Sequence, residues 1–390
     1  MSRIHDLIAE YCPKGVRFES VKKLIEPTTN IRWADVGDKE FQYIDLTSVD
    51  RVTHAISGTE LITPESAPMR AQQVVLAGDV LFGTTRPLLK RYCVVPDRYS
   101  EQIASSGYCV LRPNQALLLT NFLFHLLGTE QFYQFIAENE RGASYPAIPN
   151  NVVKEYRIPV PPLEVQREVV RILDQFTALE IALDSELKAR QGQFEYYRNS
   201  MLTSAGKSSE WTTLGDVVNI LDHRRKPITR AAREPGKIPY YGANGIQDWV
   251  KDYLFDCDLI LMGEDGSVIN PDGSPVLNWV SGKTWVNNHA HVLGERSDVA
   301  LLRFIYFYLQ TVDVTSVTRG TPPKINQAST RAIPVPLPSL QEQQRIVCVL
   351  DKLDALVNDQ SIGLPAELEA RRKQYGYYRD RLLTFDEVLA

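Results

Sequence analysis

The stretch ELKARQGQFEYYRNSMLT (residues 186–203) returns as ELEARRKQYGYYRDRLLT (residues 367–384), with 10 of 18 positions identical. Upstream, IPVPPLEVQREVVRILDQFTAL (158–179) matches IPVPLPSLQEQQRIVCVLDKLDAL (333–356) after a two-residue insertion beside the second proline cluster. Two elements recur in the same order at similar spacing, so the chain contains a long internal repeat. A repeat of this kind decides the architecture before any local structure is considered.

Fainter similarities extend the repeat towards the N-terminus. RGASYPAI (141–148) and RGTPPKIN (319–326) both supply an Arg-Gly turn, and GDVLFG (78–83) resembles CDLILMG (257–263) as a short buried strand. GVRFESV (15–21) resembles SEWTTLG (209–215), which indicates circular continuity and a two-fold relation between the halves. Each repeat is therefore predicted to be a mixed domain, a proline-rich entry and a helix.

The repeated helices carry apolar residues in alternating steps of four and three, which predicts a coiled-coil seam. In this pattern Arg198 and Arg379 stay on the surface, and Gly363 with Pro365 ends one helix and starts another. The seam residues are Leu173, Phe176, Leu183, Leu187, Phe194, Tyr197 and Met201 in the first copy, and Leu350, Leu353, Leu368, Tyr375, Tyr378 and Leu382 in the second.

A seam requires a partner, and the other repeat helix in antiparallel orientation is the simplest one. The alternative is that each helix packs only on its own domain. Some 35 to 40 helical residues at about 1.5 Å each reach roughly 55 Å, longer than a small domain is wide, which favours the helix pair.

The composition is that of a soluble globular protein with more than one domain. The chain has 390 residues, 44% hydrophobic and 23% charged. Without a long apolar run or a signal-peptide pattern, it is expected to be cytoplasmic, with no membrane partner. Its five cysteines lack metal-site spacing. The net charge of −5 gives no general reason to expect a nucleic-acid partner, so any DNA-binding face must be local.

The sequence thus predicts an α+β fold in which two mixed α/β domains are separated by two long antiparallel coiled-coil helices, with an internal pseudo-two-fold repeat. The predicted boundaries are 1–157 for the first domain with the N-terminal segment, 158–207 for the central helix, 208–332 for the second domain and 333–390 for the C-terminal helix.

The chain resembles the specificity (S) subunits of type I restriction-modification systems along effectively its whole length. The twin IPVP entries carry the resemblance, together with SIGLPAELEARRKQYGYYRDRLLTF (361–385) and the opening MSRIHDLIAEYCPKGVRFESVKKL (1–24). It implies two target-recognition domains, each reading half of a bipartite, asymmetric site in double-stranded DNA. The repeat helices would set the spacing and dock two methyltransferase (modification) subunits. Whether restriction and translocase subunits join stays open.

The resemblance also implies that this chain has no catalysis and no cofactor of its own. S-adenosylmethionine, ATP and Mg would belong to the partner subunits. The residues agree, because NPDG (270–273) lacks the second proline and the aromatic of an amino-methylation motif. His289 and His291 stand two apart, but a polar strand face is favoured over a metal site.

Candidate DNA-binding residues cluster in both domains. Basic and hydroxyl side chains suit phosphates, arginine suits guanine, and asparagine suits adenine. The candidates are Thr84, Thr85, Arg86, Lys90, Arg91 and Arg141 in the first domain, and Arg224, Arg225, Lys226, Arg230, Tyr240, Tyr241, Asn244 and Arg319 in the second.

Other interpretations of these residues stay open. A charge run is often only a solvated surface, and the tyrosines can be core residues. The repeated Arg-Gly turns favour contacts with the DNA backbone, whereas base readers are expected where the two domains differ. A non-DNA scaffold that dimerises through its helices is the alternative function. A fragment of a self-contained restriction-methylation enzyme is disfavoured because methyltransferase and nuclease motifs are missing.

Overall fold

The structure, a computed structural model, describes residues 2–266 and 268–388. The helices are α1 (Ser2–Tyr11), α2 (Thr120–Leu126), α3 (Glu130–Asn139), α4 (Asn150–Glu155), α5 (Leu163–Ser208), α6 (Leu214–Val217), α7 (Leu302–Leu309), α8 (Gln327–Arg331), α9 (Leu340–Asn358) and α10 (Leu364–Leu382).

In the described ranges, eleven strands precede α5 and ten follow it. The strands are β1 (Arg17–Ser20), β2 (Ile25–Glu26), β3 (Thr29–Asn30), β4 (Phe41–Ile44), β5 (Glu60–Ile62), β6 (Ala71–Val75), β7 (Val80–Gly83), β8 (Tyr92–Val94), β9 (Gln102–Ser105), β10 (Tyr108–Pro113), β11 (Arg157–Val160), β12 (Glu210–Thr213), β13 (Asn219–Ile220), β14 (Pro235–Gly242), β15 (Gly245–Val250), β16 (Phe255–Asp256), β17 (Leu259–Gly263), β18 (Leu277–Val280), β19 (Lys283–Val286), β20 (Ala290–Gly294) and β21 (Pro334–Leu337).

The chain forms two compact units whose sheets have the same topology. The first unit contains the described residues up to Ser185 and from Glu367 onward, and the second contains Glu186–Ala366. The first has sheets β2-β10-β7-β8, β3-β6-β9-β4-β5 and β1-β11, and the second has β13-β20-β17-β18, β16-β19-β14-β15 and β12-β21. In both, one strand pair is parallel, β4 with β9 and β14 with β19. The predicted repeat is therefore confirmed at the level of strand pairing, with β3 as an extra edge strand.

The predicted continuity between the end of a repeat helix and the next strand is present in both units. In the second unit the chain passes directly from α5 to β12. In the first unit, the residues that follow α10 are joined to the start of β1 by hydrogen bonds instead of by a peptide bond. The Val16 N–H donates to the Asp386 carbonyl at 2.8 Å, and the Val388 N–H donates to the Val16 carbonyl at 3.0 Å. Strand β1 thus follows the end of α10 as β12 follows the end of α5.

The proline-rich entries owe their shared glutamine to a buried hydrogen-bond site. Gln166 is fully buried, accepts from the Leu119 N–H at 2.9 Å and donates to the carbonyls of Leu117 and Pro161. Gln343 is also fully buried and repeats this role. It accepts from the Leu301 N–H at 2.9 Å and donates to the Pro338 carbonyl. A buried amide must find such partners, so the motif fixes each helix start onto its domain.

In the first unit the two repeat helices pack against each other. The Phe176 ring of α5 stacks on Tyr378 of α10 with centroids 5.4 Å apart, and Glu180 pairs with Arg372 at 2.7 Å. Residue numbers rise along α5 as those of the α10 partners fall, so the packing is antiparallel. The antiparallel helix pair is therefore confirmed in this unit.

In the second unit, α5 and α9 share one core with α7 of the domain. Phe194 and Leu202 of α5 are buried in this core together with Ile346 and Leu350 of α9. The Phe194 ring lies 6.2 Å from that of Phe307 on α7. The alternative in which a helix packs on its own domain thus also describes part of the structure.

All predicted seam residues except Tyr197 are buried or half-buried. They are Leu173, Phe176, Leu183, Leu187, Phe194, Met201, Leu350, Leu353, Leu368, Tyr375, Tyr378 and Leu382.

Three side chains at the helix ends contradict the predicted phase of the seam. Tyr197 is 41% exposed, so its assignment to the seam was wrong. The neighbouring Arg198 is half-buried over the Phe194 ring, and Arg379 is also half-buried and lies over the Tyr375 ring. Neither arginine is free on the surface as predicted.

The second repeat helix is broken where the sequence predicts it. Helix α9 ends at Asn358 and α10 begins at Leu364, with Pro365 in its first turn. A Cβ on Gly363 would lie 2.6 Å from the Ala355 carbonyl oxygen, so this turn requires glycine. Helix α5 continues for 46 residues, roughly 69 Å, which is longer than predicted. No helix in the described ranges is long and apolar enough to cross a membrane.

Candidate nucleic-acid interface

In the first unit, the loop after β7 and the Arg-Gly turn form one exposed edge. Thr85 bridges to Ala147, which also bridges to Arg141 across the turn. The Arg86 N–H donates to the Pro146 carbonyl at 2.7 Å. The Arg86 guanidinium lies 4.6 Å from the ring centre of Tyr145, which is 72% exposed. Within residues 2–266 and 268–388, no carboxylate forms an ion pair with Arg86 or Arg141.

The second unit repeats the same backbone contacts. Asp265 and Arg319 both bridge to Lys324, and the Gly266 N–H donates to the Pro323 carbonyl at 3.0 Å. One more contact is shared: the Ile325 N–H donates to the Glu264 carbonyl, as the Ile148 N–H donates to the Thr84 carbonyl in the first unit. We call this arrangement the strand-end frame: residues 84–86 with 141–148 in the first unit, and 264–266 with 319–325 in the second. The two predicted Arg-Gly turns occupy the same place in it.

The side chains on the second frame differ from those on the first. Asp265 contacts His289 with 2.5 Å between carboxylate oxygen and Nδ1, and both side chains are partly exposed. Lys324 lies 3.4 Å from a Glu264 oxygen. Arg319 folds back and donates to carbonyls of its own turn. The first frame therefore presents arginines and a tyrosine, whereas the second presents an acid-histidine pair and a lysine.

The basic segment 223–233 is only partly available to a ligand. Arg225 is largely buried and donates to Glu264 and to the Ala290 carbonyl, and these contacts disfavour its predicted role in DNA contact. Arg224 is exposed, but its guanidinium lies over the Phe255 ring and donates to a carbonyl. Lys226 and Arg230 are exposed, and neither has an ion-pair partner in the described part of the chain.

A buried polar network holds this segment against the frame of the second unit. Asp222 accepts hydrogen bonds from the Val292 N–H at 2.9 Å and Gln327 at 2.8 Å, and lies 2.7 Å from His291 Nδ1. The other ring nitrogen of His291 lies 3.0 Å from the Ile325 carbonyl oxygen of the frame. Burial by itself would raise the pKa of Asp222, but the hydrogen bonds outweigh it and lower the pKa to about 2.

The same network contains groups of the kind that bind metal ions. Ligand atoms of Asp222, Glu264 and His291 all lie within 4.8 Å of one another. The two carboxylates already contact the cationic side chains of Arg225 and Lys324. Two negative charges thus face two positive ones, and we interpret the cluster as an ion-pair network that fixes the loop positions.

Three predicted contact residues make hydrogen bonds within the fold. Thr84 is 6% exposed and donates to the Gly107 carbonyl at 2.9 Å. Tyr240 is 1% exposed, and its hydroxyl accepts from the Ile228 N–H at 3.1 Å. Arg91 is half-buried and donates to the Leu46 carbonyl. Their burial and internal hydrogen bonds disfavour the predicted DNA contact.

The remaining predicted residues lie where a ligand can reach them. Lys90 is exposed, with Nζ 4.6 Å from the ring centre of Tyr133. Asn244 is exposed in the turn between β14 and β15, Thr85 is half-buried on the strand-end frame, and Tyr241 is half-buried on β14.

The repeat helices also expose equivalent apolar side chains. Leu179 and Leu356, which match in the repeat, are 40% and 36% exposed. Tyr196 and Tyr377, which also match, are 67% and 59% exposed. Each unit therefore presents one such leucine and one such tyrosine. The repeat thus extends to exposed apolar positions of the helices as well as to buried ones.

Sequence reasoning missed Tyr145, Asp265 and Asp222. Tyr145 stands inside the quoted Arg-Gly turn, and its position two residues before the paired Ala147 was the available signal. Asp265 stands two residues after CDLILMG, as Thr85 stands two residues after GDVLFG, and this correspondence was the available signal. Asp222 contacts His291 across 69 positions of the sequence, and no local pattern shows such a contact.

Comparison with known families decides the assignment of the whole chain. The profile of the type I restriction modification DNA specificity domain matches residues 77–190 and 208–370, well over half of the chain. The chain belongs to the type I restriction-modification DNA specificity family.

Relatives in this family match parts of the chain. A type I restriction enzyme specificity subunit of Haemophilus influenzae is 39% identical over 188 residues, which are 47% of this chain and 48% of the relative. The EcoR124I/EcoR124II specificity subunit of Escherichia coli is 30% identical over 270 residues, 61% of this chain and 65% of the relative. The chain thus spans about half and about two thirds of these two proteins.

Solved structures of the family share the fold over nearly the whole chain. A chain from a structure titled as the basis of complex assembly and conformational transition of the type I R-M system is 25% identical, with a TM-score of 0.62, and the match covers 95% of this chain and 98% of that one. The S subunit of Mycoplasma genitalium gives a TM-score of 0.61 with 95% and 96% coverage, and at 15% identity it shows the fold alone.

Substitution of Asp222 tests the buried network of this specificity-family chain. The lowered pKa means that the ionised carboxylate stabilises the fold above its unfolded pKa of about 3.8, and this contribution disappears as the pH falls towards 2. Asp222→Asn should lower the free energy of unfolding by about 2 kcal/mol at pH 7. The difference from the unsubstituted chain should narrow below about pH 4. Urea unfolding from pH 7 to pH 2.5 measures both effects.

The exposed Asp252→Asn is the matched control and should change stability by less than about 0.5 kcal/mol. A loss for Asp222→Asn that stays constant over the whole pH range would contradict the account.

Proposed function

We propose that this chain is the DNA-reading subunit of a type I restriction-modification complex. Each unit reads one half of a bipartite, asymmetric site in double-stranded DNA, and the repeat helices set the spacing between the half-sites. The observation that carries the proposal is the strand-end frame, which has the same backbone contacts in both units and different side chains. Two domains of one fold that read two different sequences need a shared backbone frame and different side chains on it.

The free cations of both units support DNA as the ligand. Arg86 and Arg141 in the first unit, and Lys226 and Arg230 in the second, are exposed without carboxylate partners among the described residues. Unpaired Arg and Lys side chains bind phosphates by releasing condensed counterions, and this requires only a local basic surface. A net charge of −5 is therefore compatible with DNA binding.

The equivalent apolar sets on the repeat helices support two copies of one protein partner. Identical docking residues in both units bind identical subunits. In the proposed complex these are methyltransferase subunits, which carry S-adenosylmethionine. Restriction-translocase subunits, where present, carry ATP and Mg. The specificity chain contributes recognition and spacing, with no catalytic step of its own.

DNA affinity in the complex should depend on Lys226 and Arg230. The double variant Lys226→Ala/Arg230→Ala, assembled with the methyltransferase subunit, should bind all duplex sequences more weakly. The slope of log affinity against log salt concentration should be shallower by about 2, because two phosphate contacts are lost. Electrophoretic mobility shifts at several salt concentrations measure this. The isolated chain should bind more weakly than the complex.

Lys251→Ala is the matched control, because Lys251 is exposed and its charge is paired with Glu234 at 3.1 Å. Unchanged affinity in the double variant would favour the alternative of a scaffold that does not bind DNA. Equal affinity with and without the methyltransferase subunit would contradict the weaker binding expected of the isolated chain.

The two docking surfaces should be separable by single substitutions. Each single variant, Tyr196→Ala or Tyr377→Ala, should weaken the binding of one of the two methyltransferase subunits. The expected loss of binding free energy is about 1–3 kcal/mol, as for a central interface tyrosine. Native mass spectrometry should then show complexes with one copy, and the double variant should bind neither. Tyr253→Ala, at an exposed tyrosine outside the repeat helices, is the control. Loss of both copies in a single variant would contradict two independent surfaces.

A further inference from the structure

The strand-end frame places an arginine in one unit where the other has glycine. Arg86 and Gly266 hold the same position, since each donates its N–H to a proline of the turn, Pro146 or Pro323. Both have positive φ angles, +49° for Arg86 and +85° for Gly266. The left-handed region suits glycine and disfavours other residues. The first unit therefore has an arginine at a position whose backbone conformation favours glycine.

The geometry of Arg86 presents its guanidinium outwards. The exposed Tyr145 ring supports the guanidinium at 4.6 Å, a distance typical of a cation-π contact. No acid forms an ion pair with it in the described residues. A planar group held in one orientation loses less conformational freedom when it binds a ligand. Strain at an exposed loop together with a pre-ordered polar group is a feature of recognition sites.

We propose that Arg86 reads a guanine in the half-site bound by the first unit. This inference rests on the proposed function and names one base contact within it. The guanidinium is a fork of donors that matches the O6 and N7 acceptors of guanine in the major groove. In the free protein, Tyr145 holds this fork ready.

A base contact explains the position of Arg86 better than a phosphate contact. Phosphates are the same in both half-sites, so the residues that bind them can be the same in both units. Arg86 stands on the shared frame but occurs in one unit only. A difference between two units on one frame matches a difference between two half-sites.

The second unit presents the complementary chemistry at the neighbouring frame position. Asp265 replaces Thr85 there, and its partly exposed carboxylate is paired with His289. A carboxylate accepts hydrogen bonds from the amino group of cytosine or adenine, and guanine presents no amino group in the major groove. The frame of the second unit is therefore expected to contact cytosine or adenine.

Mapping of methylated sites in DNA exposed to the full chain with its methyltransferase subunit tests the inference. Arg86→Gly is the decisive variant, because glycine fits the positive φ and already stands at the equivalent position 266. It should make one guanine of one half-site degenerate and leave the other half-site and the spacer unchanged. Affinity for the original site should fall on the order of ten- to a hundredfold. Arg86→Lys should keep the general affinity for DNA and weaken the guanine preference, because lysine lacks the planar fork of donors.

Controls in both units make the result specific. Arg98→Ala removes another exposed arginine of the first unit that lies over a tyrosine ring, Tyr99, and should not change the site. Asp265→Asn should relax one position in the other half-site. Thermal melting confirms that each variant folds.

An unchanged methylated sequence in Arg86→Gly overturns the inference. Uniform weakening on all sequences with a shallower salt dependence also overturns it, because Arg86 is then a phosphate contact. If the unsubstituted chain directs no split site at all, the proposed function itself has failed, and the two failures are thereby distinguished.

Discussion

A buried glutamine on the first turn of a repeat helix fixes that helix to its domain in each unit. Gln166 and Gln343 lie in the repeated proline-rich motif, and each accepts a hydrogen bond from the N–H that precedes a domain helix, at Leu119 and Leu301. Loss of either amide would leave a buried N–H and carbonyl unpaired, which costs about 1–3 kcal/mol for each group. The domain and its helix therefore share one core, and the motif repeats because this constraint applies twice.

The strand-end frame is also built in the same way in both units. Backbone hydrogen bonds build the strand-end frame in both units, so its shape does not depend on the exposed side chains. The side chains are then free to differ, as Arg86 with Tyr145 and Asp265 with His289 do. In the second unit, the ion pairs of Asp222 add a support for the frame that lies out of solvent. A fixed backbone with variable side chains allows two binding specificities on one fold.

The sequence predicted what is local or repeated. The duplicated helices, the break near Gly363, the α+β domains and the paired Arg-Gly turns all follow from patterns within short windows. The phase of the seam was lost near Tyr197, because steps of four and three average 3.5 residues while a straight helix has 3.6 per turn, and the difference accumulates over 46 residues. Burial of Tyr240, capture of Arg225 by Glu264 and support of Arg86 by Tyr145 depend on contacts between distant segments. Composition and spacing carry no signal for such contacts.

In the proposed function, two units of one fold read two different half-sites. The most direct measurement is the mapping of methylated adenines in DNA from cells that express this chain with its methyltransferase subunit. We expect a methylated sequence in two specified parts, different from each other and separated by a spacer of fixed length and unspecified sequence. An uninterrupted or palindromic methylated sequence would contradict it.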